Sequence, residues 1–183
     1  MPTPRFRLQD SAVLLVDVQE KLLPHMDQAP RLLAQCDRLL DGAAALDLPL
    51  LVTEQYRKGL GPTVDALQRH LPRALCNEEK LKFSACVDGV RRHLAATQTR
   101  AVLVCGIEAH VCVLQTCLDL ADAGYTVGLV TDAVSSRRPD DCAAAQSRMI
   151  QAGIVPTTVE SALLELVHEA GGDKFKSILP LIK

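Results

Sequence analysis

The stretch AVLVCGIEAHVCVLQTCLDLA (101–121) changes character in its middle. Ala101 to Val104 is an apolar, β-branched run that reads as a strand, and from about Ala109 onward the apolar residues recur at helical spacing. Gly106 lies where one pattern meets the other. Cys112 falls in the first turn of the helix. A helix N-terminus offers unpaired N–H groups and the positive end of the backbone dipole. Both favour a thiolate, the nucleophilic form of cysteine, and the same N–H groups are placed to hold an oxyanion as it develops on a substrate. Cys112 is therefore the first candidate for a catalytic residue.

Outward from this stretch, strand and helix signals alternate along the whole chain. SAVLLVD (11–17) is a continuous apolar run ending in an acid, as expected of a strand buried on both faces. PLLVTE (49–54), RALCN (73–77), residues 101–105, YTVGLVTD (125–132) and IVPTTVE (154–160) read as five further strands. Helical patterns run to about Asp47, around Val64 to His70, from Val87 to Thr97, after Ala109, over 138–153 and through Leu163, Leu164 and Val167. This alternation predicts an α/β fold: one domain over 1–183, three-layer α/β/α, with a six-stranded, mostly parallel sheet. A doubly wound sheet of order 3-2-1-4-5-6 sets strands 1 and 4 side by side. Ligands then bind beyond the carboxyl ends of the strands, where the winding reverses. Asp17 ends strand 1 and Cys112 follows strand 4, so topology brings them to one crevice.

Composition narrows the class. Apolar residues make up 48% of 183, with 3% aromatic and no Trp, so the core must be aliphatic. Twenty basic against 22 acidic side chains leave a formal charge of −2 without a basic block, which argues against a nucleic-acid or anionic-membrane partner. No signal-peptide core or membrane-length apolar run is evident, and a cytoplasmic location is expected. Seven cysteines, an odd number with no CxxC pair, point to free thiols in a reducing compartment.

A thiol nucleophile needs a base and a means of holding charge. Asp17, at a strand end, suits the base, although it also suits a helix cap. In EEKLKFSAC (78–86) either Lys80 or Lys82 qualifies as a supporting cation. Gln19, Glu54, Gln55 and Tyr56 leave strands 1 and 2 at the same sheet edge and are candidate substrate-pocket residues; turn or surface roles are the alternatives. His110 and His25 read as rim or surface residues, and Asp132 as a supporting or capping residue.

The combination of Asp17 in LLVDVQ, Lys80 in KLKFSA and Cys112 in VCGIEAHVC resembles the isochorismatase-like cysteine hydrolases over nearly the whole chain. The segment TEQYRKGLGPT (53–63) is similar to the subgroup of isochorismatase domain proteins that often lack an assigned substrate. The resemblance implies a Cys112–Asp17–Lys80 triad, in which Lys80 is selected over Lys82 by its spacing from Phe83–Ser84. It also implies a cis peptide at Ile107–Glu108, an oxyanion hole from the N–H groups of Glu108 and Cys112, and Phe83 near the pocket. Metal-dependent nicotinamidases of the superfamily carry an Asp-x-His pair and another His after the second strand. Here no His precedes His70 in that region, so neither a metal nor another cofactor is expected. Cys112 favours amide or ureido-type C–N substrates over vinyl ethers.

The expected activity is thus hydrolysis of a small-molecule C–N bond through a covalent cysteine intermediate. A non-catalytic binding or interaction protein on the same scaffold and a thiol redox sensor are the alternatives. Relatives that oligomerise imply a homo-oligomer. The C-terminal DKFKSILPLIK (173–183), with Phe175, Ile178, Leu179 and Ile182 near one helical face, suits either a neighbouring subunit or its own domain.

Overall fold

All six positions of β1 (Ser11–Val16) are buried. Side chains of a strand alternate between its faces. Val13 and Leu15 enter one core, while Ala12, Leu14 and Val16 enter the other. A strand without a polar face belongs in the interior of a sheet covered on both sides. The structure, a computed structural model, describes residues 3–183 and places β1 there. The other strands are β2 (Leu50–Gln55), β3 (Cys76–Lys80), β4 (Ala101–Ile107), β5 (Thr126–Ser135) and β6 (Val155–Thr157). Their order is β3-β2-β1-β4-β5-β6, as expected from the sequence. Every pairing between them is parallel, so the sheet is fully rather than mostly parallel.

In chain order the helices are α1 (Ala29–Ala45), the short α2 (Arg57–Leu60) and α3 (Asp65–Gln68), then α4 (Asp88–Ala96), α5 (Leu114–Asp122), α6 (Pro139–Gln151), α7 (Val159–Val167) and α8 (Asp173–Ile178). α1, α7 and α8 pack with the first core, and α4, α5 and α6 with the second. Ile178 is fully buried in the first core and Ile182 packs against it, so the C-terminal face docks on its own domain.

Three local departures from the sequence reading matter for the site. The third strand is Cys76–Lys80 rather than 73–77. It is the sheet's edge and only half buried, so its Asn-Glu-Glu-Lys run carries no apolar signal, while Leu71–Arg73 closes a 3₁₀ turn. Lys80 consequently ends a strand instead of lying in a loop. β4 runs to Ile107 and β5 to Ser135, with a register shift opposite Val104/Gly106. Gly106 has φ +117°, and a Cβ there would overlap the Val16 carbonyl, so only glycine lets β4 approach β1 at this point. Finally, the helix after β4 opens with a π turn, Ala109–Val113, before α5 begins.

Candidate active site

Asp17 follows β1 with φ +53°, a left-handed conformation that Asp tolerates better than most residues. Its backbone N–H donates to the Thr53 carbonyl at 3.1 Å. The side chain is fully buried. Thr53 Oγ1 donates to Oδ1 at 2.8 Å, and Lys80 Nζ donates to Oδ2 at 2.6 Å. A buried carboxylate is tolerated only when paired and hydrogen-bonded, and Asp17 has both kinds of partner. Burial nevertheless prevails over the Lys80 charge and raises the carboxyl above its ordinary value.

Lys80, also buried, is held from all sides. Besides Asp17, its Nζ donates to Gln55 Oε1 at 2.8 Å, the Phe83 carbonyl at 2.8 Å and the Lys82 carbonyl at 3.2 Å. An ammonium has three protons and no acceptor; four oxygens around it leave no proton free. Its side chain is therefore a fixed charge. Gln55 is held in turn by Gln19, whose Oε1 accepts the Gln55 N–H at 2.7 Å while its Nε2 donates to the Gln55 and Gly61 carbonyls at 3.0 and 2.6 Å.

Cys112 lies in the π turn, nearly buried, facing the Asp17–Lys80 pair. π turns inside α-helices recur at functional sites. The Glu108 carbonyl accepts from the N–H groups of Val111 at 3.0 Å and Val113 at 3.1 Å; among the hydrogen bonds of the described residues, the Cys112 N–H between them does not join that carbonyl. The preceding Ile107–Glu108 peptide is cis. The thiol is pushed up to about 12, by burial first and the Asp17 carboxylate second, against a lowering influence from Lys80. This outcome differs from the thiolate that a helix start alone would favour: desolvation and the neighbouring anion outweigh the dipole and the cation. The resting side chain is a thiol.

The remaining sequence candidates take varied positions. Gln19 is buried with its amide committed to backbone as described. Glu54 is also buried, accepting from the N–H and Oγ1 of Thr63 at 2.7 and 2.8 Å and pairing with Arg57 at 3.3 Å, so it anchors the 57–63 connection. Tyr56 and Phe83 are about half exposed, at 48% and 52%, on the segments that meet around Lys80. His110 Nδ1 lies 2.9 Å from Ser136 Oγ, the Glu108 carboxylate takes the Arg137 Nε–H at 3.0 Å, and His25 is exposed. Asp132 accepts the Val159 N–H at 2.9 Å and so caps α7 rather than the helix next in sequence. Thr53 went unnoticed in the sequence reading. No motif marks it, because its role follows from its pairing with Val16 across β1 and β2. Among the described residues no three His, Cys, Asp or Glu side chains converge to hold a metal.

Comparison with known proteins gives this arrangement a family. An isochorismatase domain model matches residues 11–161. The secreted isochorismatase effector Isc1 of Phytophthora sojae is 44% identical over 178 residues, covering 94% of this chain and 85% of the effector. The structure of the MAR1 ribonuclease of Caenorhabditis elegans superimposes with a TM-score of 0.92 at 40% identity, over 98% of this chain and 92% of that one. The Escherichia coli YcaC gene product, described as an octameric hydrolase of unknown specificity, gives 0.85 at 27% identity over 92% and 85%. The fold, the order of the strands and the length of the match agree: this chain belongs to the isochorismatase domain family.

Proposed function

We propose that the protein is a cysteine hydrolase that cleaves an amide or ureido-type C–N bond in a small molecule, with Cys112 as nucleophile, Asp17 as acid–base and Lys80 as fixed cation. The observation that carries this reading is the buried 2.6 Å pair of Lys80 and Asp17 facing the Cys112 thiol. A thiol with its proton held this firmly needs a base at the moment of attack. As Sγ bonds to the substrate carbonyl carbon, its proton passes to Asp17, whose burial strengthens it as a base. The carbonyl electrons move onto oxygen, where the N–H groups of Glu108 and Cys112 receive them. Collapse of the tetrahedral species breaks the C–N bond, and Asp17 returns the proton to the departing nitrogen. Water then attacks the thioester, giving its proton to Asp17. The C–S bond breaks, the acid product leaves, and the proton goes back to the thiol. Lys80 keeps its hydrogen bonds to Asp17, Gln55 and the Lys82 and Phe83 carbonyls throughout.

The name of the worm relative raises RNA as a substrate. A formal charge of −2 with no basic stripe disfavours a polyanion. A small neutral or weakly charged substrate fits better. Seven free cysteines accord with a reducing, cytoplasmic setting. The octameric relative supports a homo-oligomer, which light scattering tests: a monomeric mass at working concentration contradicts it.

The direct test of activity is a hydrolase screen over amides, ureido acids and carbamoyl compounds, run against Cys112→Ala. At least one C–N substrate should be turned over by the parent and not by the variant. Equal turnover by both, or none on any C–N substrate alongside activity on another class, overturns the proposal.

A further inference from the structure

Thr116 lies on α5, fully buried, four residues after Cys112. Its hydroxyl donates to the Cys112 carbonyl at 2.6 Å and accepts the Ala85 N–H at 2.8 Å. The first bond is local to the helix. The second reaches a distant segment: Ala85 follows Lys82 and Phe83, the residues whose carbonyls hold the Lys80 ammonium. We propose that Thr116 is a positioning residue that keeps the nucleophile segment and the lysine-holding loop in fixed relation. The role rests on the cysteine hydrolase reading above.

The two halves of the site come from separate crossovers. Lys80 ends β3 at the sheet edge, whereas Cys112 follows β4 in the interior. The sheet fixes the strand ends, but the 81–85 loop leaves β3 and must find its place by other contacts. Ala85 is fully buried, so its N–H needs a partner away from water. Among the hydrogen bonds of the described residues, that partner is the Thr116 hydroxyl alone. A hydroxyl has one proton to give and lone pairs to accept with; here it gives to the nucleophile's own carbonyl and accepts from the loop. The path then runs from Cys112 through Thr116 to Ala85, and from Phe83 through Lys80 to Asp17. Valine has the same shape and can make neither bond. Serine can make both. Without the hydroxyl, the loop must shift to satisfy Ala85, and the carbonyls that aim Lys80 shift with it.

The experiment measures the single-turnover rate at which p-nitrophenyl acetate acylates Cys112, using p-nitrophenolate release and the mass of the intact protein. Thr116→Val is expected to slow acylation by about tenfold, the scale expected when a buried donor loses its partner. Thr116→Ser should restore the rate to near the parent value, which a purely packing role would not do. If Thr116→Val does not fold, Thr116→Ala removes the same hydroxyl and carries the same expectation. A folded Val or Ala variant that acylates at the parent rate, or a Ser variant as slow as Val, overturns the role. Asp17→Asn, run in parallel, separates the two possible failures. Parent-rate acylation in Asp17→Asn overturns the triad mechanism and the Thr116 role with it. Slow acylation in Asp17→Asn beside parent-rate acylation in Thr116→Val overturns the Thr116 role alone.

Discussion

Cys112 and Cys117 stand five residues apart on one helical segment, and both thiols are pushed up to about 12. The causes differ. Cys117 is raised by burial alone, among the apolar side chains of the second core. Cys112 is raised by burial and then by a carboxylate, with an ammonium pulling the other way. Equal reluctance to lose a proton therefore means two different things. Among the described residues the Cys117 thiol meets no hydrogen-bond acceptor, so the residue acts as a small hydrophobe. The Cys112 proton faces the Asp17 carboxylate, which Thr53 and Lys80 hold in place. In the proposed mechanism the proton leaves to that acceptor as a bond forms at sulfur, with no need of a depressed thiol pKa.

The largest expected effect separates the two cysteines through the charge beside one of them. Lys80→Met leaves Asp17 buried without its cation, a change that typically costs about 3–5 kcal/mol. Thermal or denaturant unfolding should show a loss of that order, while Cys117→Ala, which empties only a small apolar site, should cost about 1 kcal/mol. Equal losses would mean that the Asp17–Lys80 pair contributes nothing particular.

A smaller effect, seen in two readouts, is expected from Asp17→Asn. Removing the carboxylate removes one of the influences that raise the Cys112 thiol and leaves Lys80 facing it. The thiol pKa should fall from about 12, as read by ultraviolet titration of the thiolate against Cys112→Ala. The titration of Cys117 should not change. Acyl transfer through Cys112 should slow at the same time, since the proton acceptor has gone. A thiol pKa that does not fall, or acyl transfer that does not slow, would contradict the assignment of Asp17 as base.

How much of this was legible in the sequence varies by element. The interior strands announced themselves because burial on both faces leaves an unbroken apolar run, as in β1 and β4. The edge strand β3 did not, because half-exposed Asn-Glu-Glu-Lys has no pattern that distinguishes it from a loop. That misplacement hid why Lys80 is where it is: a strand end paired beside Gln55 delivers it to Asp17. The closeness of Asp17 and Cys112 followed from strand order. The Gln19–Gln55 link, the Thr53 bond and the dual bond of Thr116 depend on side-chain placement across elements far apart in sequence. No periodicity encodes them. The thiol's proton affinity was also beyond a local reading, since it depends on a carboxylate 95 positions away in the chain (from 17 to 112).

The most direct test locates the covalent intermediate. The protein is mixed with p-nitrophenyl acetate, quenched in acid within the first turnover, digested and mapped by mass spectrometry. The acetyl group should be found on Cys112 and not on Cys117, and the adduct should be absent from Cys112→Ala together with the burst of p-nitrophenolate. An adduct on another residue, or an undiminished burst from Cys112→Ala, would contradict Cys112 as the nucleophile.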